Sequence, residues 1–235
     1  YLGAKKQKNV VQVVGVAILL NLVLGLVVSA ILHYGAPLLL TLMGLRPELM
    51  VYGVGYMEIV GAFAFFQALS LTVSASLRSA NKAVYPMMVI VVVNILNIIG
   101  NYSLIFGKFG MPALGVEGAA ISTAFARGVS MIILFIILFR KYIPKFPIDY
   151  FRPFPFVELK NLLKIGLPSA GENMSYSLSQ VLLTYFINML GNEALTTRTY
   201  VVNMVMFVYL FAIAMAQGGA ICIGHLVGEK KIRAA

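Results

Sequence analysis

Long stretches without a charged residue constrain this chain more than any other feature. Residues 10–33 contain no Asp, Glu, Lys or Arg, and about 20 apolar helical residues are enough to cross the hydrocarbon core of a bilayer. Hydrophobic residues make up 60% of the sequence and charged residues 11%, whereas soluble domains carry roughly a quarter charged residues. We therefore predict an all-α polytopic membrane protein. Its six predicted transmembrane helices are residues 10–33, 50–73, 87–106, 115–139, 165–190 and 200–227.

The basic residues predict the orientation of these spans, because Lys and Arg in short loops favour the cytoplasmic side. One side would carry only Arg46, Lys108 and Arg198. The other side, with both ends of the chain, would carry Lys5, Lys6, Lys8, Arg78, Lys82, Arg140, Lys141, Lys145, Arg152, Lys160, Lys164, Lys230, Lys231 and Arg233. We expect this second side to be cytoplasmic. The net charge of +10 is thus spread over membrane loops and does not indicate nucleic-acid binding.

Two segments between the spans have a composition of their own. Residues 35–45 are apolar but too short to span, which favours an interfacial or re-entrant helix. Residues 140–160 contain four prolines and several aromatics, as expected of a cytoplasmic connector between a four-helix block and a following pair.

The two ends of the chain resemble each other. Residues 1–8 align with residues 226–233 at a constant offset of 225, each with a Gly before a basic cluster. Such a match predicts a parallel six-helix repeat. Alternatively, the loops are alike only because both lie at the cytoplasmic surface.

A carboxylate within a span is costly unless it is paired or hydrated, so Glu172 is the first candidate for function. It follows Pro168 and Gly171, which loosen a helix and free backbone carbonyls. A carboxylate in that setting could bind and release protons or cations, or it could be solvated from the cytoplasm. Glu58 and Arg127 lie at similar predicted depths, and a structural ion pair between them is as reasonable as a transport role.

Neutral polar residues form a second group of candidates. Asn94, Asn97 and Asn101 lie on the third span, and the last two share a face because they are four residues apart. Their amide oxygens could coordinate a transient Na⁺, or the amides could simply bond helices together. The same two interpretations apply to Thr123, Gln180, Asn203 and Gln217.

Enzyme signatures are absent from the sequence: it has no nucleotide-binding loop, no paired metal-binding histidines and no nucleophile triad at usable spacing. The one cysteine, Cys222, cannot form an internal disulfide. We therefore expect neither an enzyme nor a bound cofactor or structural metal.

Several strings resemble one family, the multidrug and toxic compound extrusion (MATE) transporters. They are YLGAKK at 1–6, LRSANK at 77–82, YPM at 85–87, NILNIIGNY at 94–102, LIFG at 104–107, PALGVEGAA at 112–120 and IGLP at 165–168. The resemblance implies a fold of twelve helices in two lobes, of which this chain covers approximately the third to the eighth. Residues 1–139 would then belong to the N-terminal lobe, 140–164 to the interlobe linker and 165–235 to the start of the C-terminal lobe.

The resemblance also implies a function. It suggests secondary active efflux of organic cations or drugs by alternating access, an antiport coupled to Na⁺ or H⁺ entry across a bacterial inner membrane, by a full-length monomer. By position, Asn97, Asn101 and Thr123 resemble the N-lobe cation site, and Glu172 resembles the C-lobe carboxylate. The acidic residue of the family's first helix lies outside this chain. The alternative is export of a lipid-linked sugar or another envelope precursor, which needs a cationic cavity, for which Arg127 is the candidate.

Overall fold

The computed structural model of the protein describes residues 1–42, 47–143, 154–189 and 192–231. Within these ranges the chain is helical and contains no strand. The helices are α1 (Gln7–Tyr34), α2 (Ala36–Leu42), α3 (Pro47–Ala62), α4 (Ala64–Ser79), α5 (Val84–Phe106), α6 (Gly115–Ile137), α7 (Phe156–Met189) and α8 (Asn192–Gly228). A π-helical turn, Leu138–Tyr142, continues α6. The predicted all-α membrane fold is confirmed.

Four of the described helical segments are long and apolar enough to cross a membrane. They are Gln7–Tyr34, Val84–Phe106, Gly115–Tyr142 and Thr196–Gly228, which match the spans predicted at 10–33, 87–106, 115–139 and 200–227. The predicted span 165–190 lies on α7 up to Met189, and residue 190 lies outside the described residues. At 34 residues α7 is long enough to cross, but its many polar residues keep it out of the apolar group.

The second predicted span, residues 50–73, is helical but not continuous. It is divided at Phe63 into α3 and α4, which meet at an angle of 46°. No proline marks the break, and its cause is tertiary. Ser29 of α1 accepts a hydrogen bond from the backbone N–H of Phe65 at 3.0 Å, a donor that the start of α4 leaves without a helical partner.

A second contact from α1 holds the other side of the break. The Nδ1–H of His33 donates to the backbone carbonyl of Glu58 at 3.0 Å. A Cβ added to Gly61 would lie 2.7 Å from Cβ of Leu32, so a larger residue would push the two helices apart. Contacts from a distant helix therefore stabilise the break, which the local sequence could not reveal.

The apolar stretch at 35–45 forms the short helix α2, which at seven residues cannot span a membrane. Residues 43–46 of the stretch lie outside the described part of the chain.

The chain divides into two compact units. One contains Val11–Phe154, and the other contains Tyr1–Val10 together with Pro155–Ala235. The division at residue 154 falls within the predicted connector 140–164, whose residues 144–153 lie outside the described ranges. The first ten residues group with α7 and α8 rather than with residues 11–139. The assignment of lobes stays a prediction.

Candidate functional site

The site begins with an unusually close approach of α5 and α6. A Cβ added to Gly118 would lie 2.5 Å from the carbonyl oxygen of Leu104, and one added to Gly100 would lie 2.3 Å from Oγ of Ser122. Small residues are what allow two membrane helices to pack with their backbones in contact. The buried face of α6 consists largely of them: Gly118, Ala120, Ser122, Ala124, Ala126, Gly128 and Leu134.

A chain of polar contacts crosses this packed pair. Asn101 Nδ2 donates to Oδ1 of Asn97 at 3.0 Å, and Asn97 Nδ2 donates to Oγ1 of Thr123 at 3.4 Å. Ser122 Oγ donates to the backbone carbonyl of Asn97 at 3.3 Å. Three of the sequence candidates are therefore brought together: Asn97, Asn101 and Thr123, which we call the amide cluster.

The amide cluster leaves one strong acceptor unused. Oδ1 of Asn101 is buried, and nothing in the described part of the chain donates a hydrogen bond to it. A buried polar atom without a partner is destabilising by about 1–3 kcal/mol. Such an atom calls for an explanation, and a bound cation is one of the standard explanations.

The chemistry of the cluster limits which ion could fit. Its oxygens come from two amides and one hydroxyl, which are neutral and do not titrate near pH 7. Hard monovalent cations accept neutral oxygen ligands, whereas transition metals prefer imidazole and thiolate. Within the described residues, no three His, Cys, Asp or Glu side chains are grouped so as to hold a metal. The oxygens of the cluster could coordinate an alkali cation, whereas none of its side chains would take up a proton near pH 7.

The other candidates do not take part in the hydrogen bonds of the amide cluster. Asn94 is exposed on α5 and takes no part in the hydrogen bonds that join Asn97, Asn101 and Thr123. Glu172 is exposed on α7, in the other unit. Pro168 lies within α7 one turn earlier, so the helix there lacks one backbone hydrogen bond. Glu172 is not among the side chains seen to form a hydrogen bond or an ion pair in the described ranges.

Gln180 joins α7 to α8. Arg198 Nη2 donates to Oε1 of Gln180 at 2.8 Å, and Nη1 donates to Oγ1 of Thr184. The sequence predicts Arg198 in the outer loop, whereas the structure places it on α8. Arg198 and Gln180 belong to the α7–α8 hairpin, and their bonding is the structural alternative left open for Gln180.

The predicted pair of Glu58 and Arg127 is not formed in this structure. Both side chains are half-buried, and the ion pair found among the described residues joins Lys231 to Glu229 at 2.8 Å. The prediction compared depth along two helices. It could not include the break at Phe63, which changes the direction of the chain five residues after Glu58.

Two clefts in the Val11–Phe154 unit are lined by apolar and aromatic residues. The larger, about 470 Å³, is lined by Leu32, Leu40, Leu49, Tyr52, Gly53, Tyr56, Met57, Val60, Gly61 and Val116. The other, about 390 Å³, is lined by Ile59, Phe63, Phe66, Ile121, Ala124, Phe125, Gly128, Val129 and Ile132. Both volumes fall in the range of small-molecule sites. Neither lining contains Lys or Arg.

Sequence reasoning missed Ser122 and Glu158. Ser122 is buried at 3% exposure, and a serine inside a helix gives no signal of its partner. Glu158 precedes the span predicted at 165–190, so the search for charges inside spans passed over it. It is nevertheless only 5% exposed.

The fold and the site together define a multi-pass α-helical membrane protein with a cluster of neutral oxygens between two packed spans. The chain belongs to the MatE family, whose model matches residues 1–103 and 168–235.

Among curated proteins, the chain is similar to a Bacillus subtilis protein named uncharacterized transporter YisQ. The two are 41% identical over 235 residues, which is 100% of this chain and 52% of that protein. It is also similar to the multidrug resistance protein NorM of Vibrio cholerae, at 26% identity over 99% of this chain and 51% of the relative. The chain thus spans about half the length of the curated relatives it matches.

Solved structures show the same fold. An inward-facing multidrug resistance MATE family transporter of the MOP superfamily matches with a TM-score of 0.73 at 24% identity, over 88% of this chain and 47% of that one. The Vibrio cholerae MATE transporter VcmN in its bent form matches with a TM-score of 0.63 at 19% identity, over 99% and 56%.

Proposed function

We propose that the full-length protein containing this chain is a secondary transporter of the bacterial inner membrane. It exports small organic cations by alternating access, driven by the entry of Na⁺ or H⁺. Relatives named as multidrug resistance proteins support the substrate class, and membership of the MatE family supports the mode of action.

The unpartnered Oδ1 of Asn101 is the observation that carries the coupling part of the proposal. With Asn97 and Thr123 it supplies neutral oxygens that a dehydrated Na⁺ could use. Because these groups do not titrate near pH 7, protons would have to be coupled elsewhere, and we assign that role to Glu172 rather than to Glu58, another carboxylate within the predicted spans. In this proposal Na⁺ would bind at the amide cluster, and H⁺ would bind at Glu172.

The two clefts favour organic cations over the envelope-precursor alternative. A lipid-linked sugar carries phosphate, which calls for Arg or Lys in its cavity. The cleft linings are apolar and aromatic, and aromatic faces attract organic cations. We therefore keep organic cations, rather than an envelope precursor, as the proposed substrate class.

The test is Na⁺-driven ethidium export by the full-length protein in proteoliposomes. Asn101→Ala removes the unpartnered oxygen, and we expect the Na⁺ concentration for half-maximal export to rise about tenfold, the equivalent of one hydrogen bond to a charge. Asn94→Ala is the matched control, since it removes an exposed amide from the same helix and should leave the Na⁺ dependence unchanged.

Unchanged Na⁺ dependence in both Asn101→Ala and Asn97→Ala would remove the amide cluster from coupling. Export driven by a pH gradient in the absence of Na⁺, and lost in Glu172→Gln, would instead assign the coupling to Glu172. A full-length protein that moves no ethidium under either gradient would contradict the proposed substrate class.

A further inference from the structure

A buried carboxylate, Glu158, links the first residues of the chain to the start of α7 within one compact unit. Glu158, in the first turn of α7, is only 5% exposed. Its Oε1 accepts hydrogen bonds from the hydroxyl of Tyr1 at 3.0 Å and from Nδ2 of Asn9 at 3.1 Å. A carboxylate this buried is strongly destabilising unless it is hydrogen-bonded, so the position of residues 1–9 against α7 depends on these two donors.

Backbone contact makes a second, independent connection in the same unit. A Cβ added to Gly3 would lie 2.1 Å from the carbonyl oxygen of His225. A Cβ added to Gly228 would lie 3.0 Å from Cα of Gly3. The chain before α1 therefore crosses the end of α8 at a separation that leaves no room for a Cβ at Gly3 and very little for one at Gly228.

The two crossing segments have the same local structure. Lys5 N bonds to Leu2 O at 3.0 Å and Lys6 N bonds to Tyr1 O at 3.1 Å. Lys230 N bonds to Val227 O and Lys231 N bonds to Leu226 O, both at 3.0 Å. Lys5 and Lys230 both have positive φ, 55° and 62°. The two segments thus share the hydrogen-bond pattern and the positive φ of a Schellman turn, at positions that are 225 residues apart.

We propose that Tyr1, Gly3, Asn9, Glu158 and Gly228 form a clasp that closes the side of the transporter predicted to be cytoplasmic, and that Glu158 is the residue that holds it shut. This inference rests on the proposed function. Under the predicted assignment, residues 1–10 belong to the N-terminal lobe and residues 165–235 to the C-terminal lobe. Glu158 lies in the predicted linker, on the same helix, α7, that continues into the C-terminal lobe. Opening to the cytoplasm then separates Glu158 from both donors and Gly3 from Gly228.

The contact with Glu158 also affects the protonation of Tyr1. The hydrogen bond to Glu158 raises the pKa of Tyr1 above its ordinary value, with burial adding to the effect. The phenol therefore stays protonated and keeps its donor role at physiological pH.

The experiment measures access to a buried reporter and so does not depend on transport. Val10, which is 8% exposed and follows Asn9, is replaced by Cys in the full-length protein, with Cys222→Ser to remove the exposed native thiol. The labelling rate by a water-soluble maleimide in inside-out vesicles is then compared among Glu158 variants. We expect Glu158→Ala to raise the rate about tenfold, the effect of losing hydrogen bonds to a charged group.

Two variants separate the clasp from a general loss of structure. Glu158→Gln keeps Oε1 as an acceptor, so both hydrogen bonds can still form in a weaker, neutral version, and labelling should rise less than in Glu158→Ala. Glu229→Gln changes an exposed carboxylate near the same turn and should have no effect. Equal labelling in Glu158→Ala, Glu158→Gln and Glu229→Gln would overturn the proposal.

A cross-link extends the test to transport. Tyr1→Cys with Glu158→Cys, joined by a short bifunctional thiol reagent, should stop export reversibly. Lys82→Cys with Tyr142→Cys links two residues of the other unit whose side chains already meet, at 5.8 Å from Nζ to the ring, and should leave export intact. Full export with the first pair linked would contradict the clasp, whereas a parent that exports nothing would contradict only the proposed function.

Discussion

The α5–α6 pair and the α7–α8 hairpin are both rich in glycine and polar residues, but they use them in opposite ways. In α5–α6, Gly100 and Gly118 allow backbone contact, and polar bonds run from one helix to the other. In α7–α8, Gly166, Gly171, Gly218, Gly219 and Gly224 have no neighbouring atom within 4 Å of an added Cβ.

The polar side chains of the two helix pairs differ in whether they bond to the neighbouring helix or to their own. Asn173, Ser175, Thr184 and Thr197 each bond to a carbonyl four residues earlier in their own helix. Arg198 joins the two helices of the described hairpin through side-chain bonds to Gln180 and Thr184. Polar residues in a span therefore do not by themselves indicate a site. Close packing is what gathers them and leaves an oxygen such as Oδ1 of Asn101 without a donor.

The largest effect should come from a glycine in the packed pair. Gly118→Val forces a side chain onto the carbonyl of Leu104, which is backbone and cannot move aside. We expect a loss of about 3 kcal/mol of stability, at the upper end for overpacking. The measurements are the yield of monodisperse protein and the melting temperature in detergent, and both should fall. Gly166→Ala, which meets nothing within 4 Å, should change neither. Equal behaviour of the two variants would contradict the packing difference.

The second-largest effect is expected at Glu172, the exposed carboxylate of α7. Glu172→Gln removes a charge that has no observed partner in the described structure, so we expect little change in stability but about a tenfold loss in ion-driven ethidium export, within the usual range of coupling energies. Glu193→Gln, another exposed carboxylate, serves as the control. Unchanged export and unchanged resistance in cells would remove Glu172 from the mechanism.

A smaller effect is expected at the break between α3 and α4. Ser29→Ala removes the acceptor for the N–H of Phe65 and should lower stability by about 1 kcal/mol, as loss of a helix N-cap does. Ser76→Ala removes only a bond to the carbonyl of Thr72 in its own helix. Its melting temperature should stay close to that of the parent, and a larger fall than for Ser29→Ala would show that the break is not held from α1.

The smallest effect should be at the exposed ion pair. Lys231 lowers the pKa of Glu229 through a hydrogen bond and its charge. A depressed carboxylate pKa favours the folded protein above the unfolded-state pKa, and the benefit disappears as pH falls. Because both groups are fully exposed, Glu229→Gln should leave the melting temperature unchanged at pH 7 and pH 4 alike. A pH-dependent difference would mean that the pair is shielded from water.

Sequence predicted what depends on composition and spacing, and missed what depends on contacts between distant residues. The apolar runs gave four spans to within a few residues, and the spacing of Asn97 and Asn101 placed them on one face. The break at Phe63 could not be foreseen, because its causes, Ser29 and His33, lie on α1. Glu158 was missed for the same reason, since its donors are Tyr1 and Asn9.

The crossing of Gly3 and Gly228 has a consequence for how this sequence can change over time. A methyl group gained at position 3 would meet the carbonyl of His225, and one gained at position 228 would press on the backbone of Gly3, so a change in either segment constrains the other. Positions 225 residues apart should therefore vary jointly across an alignment of full-length homologues, as neighbouring residues do. A lineage in which one of them became alanine should carry a compensating change at the other or at His225.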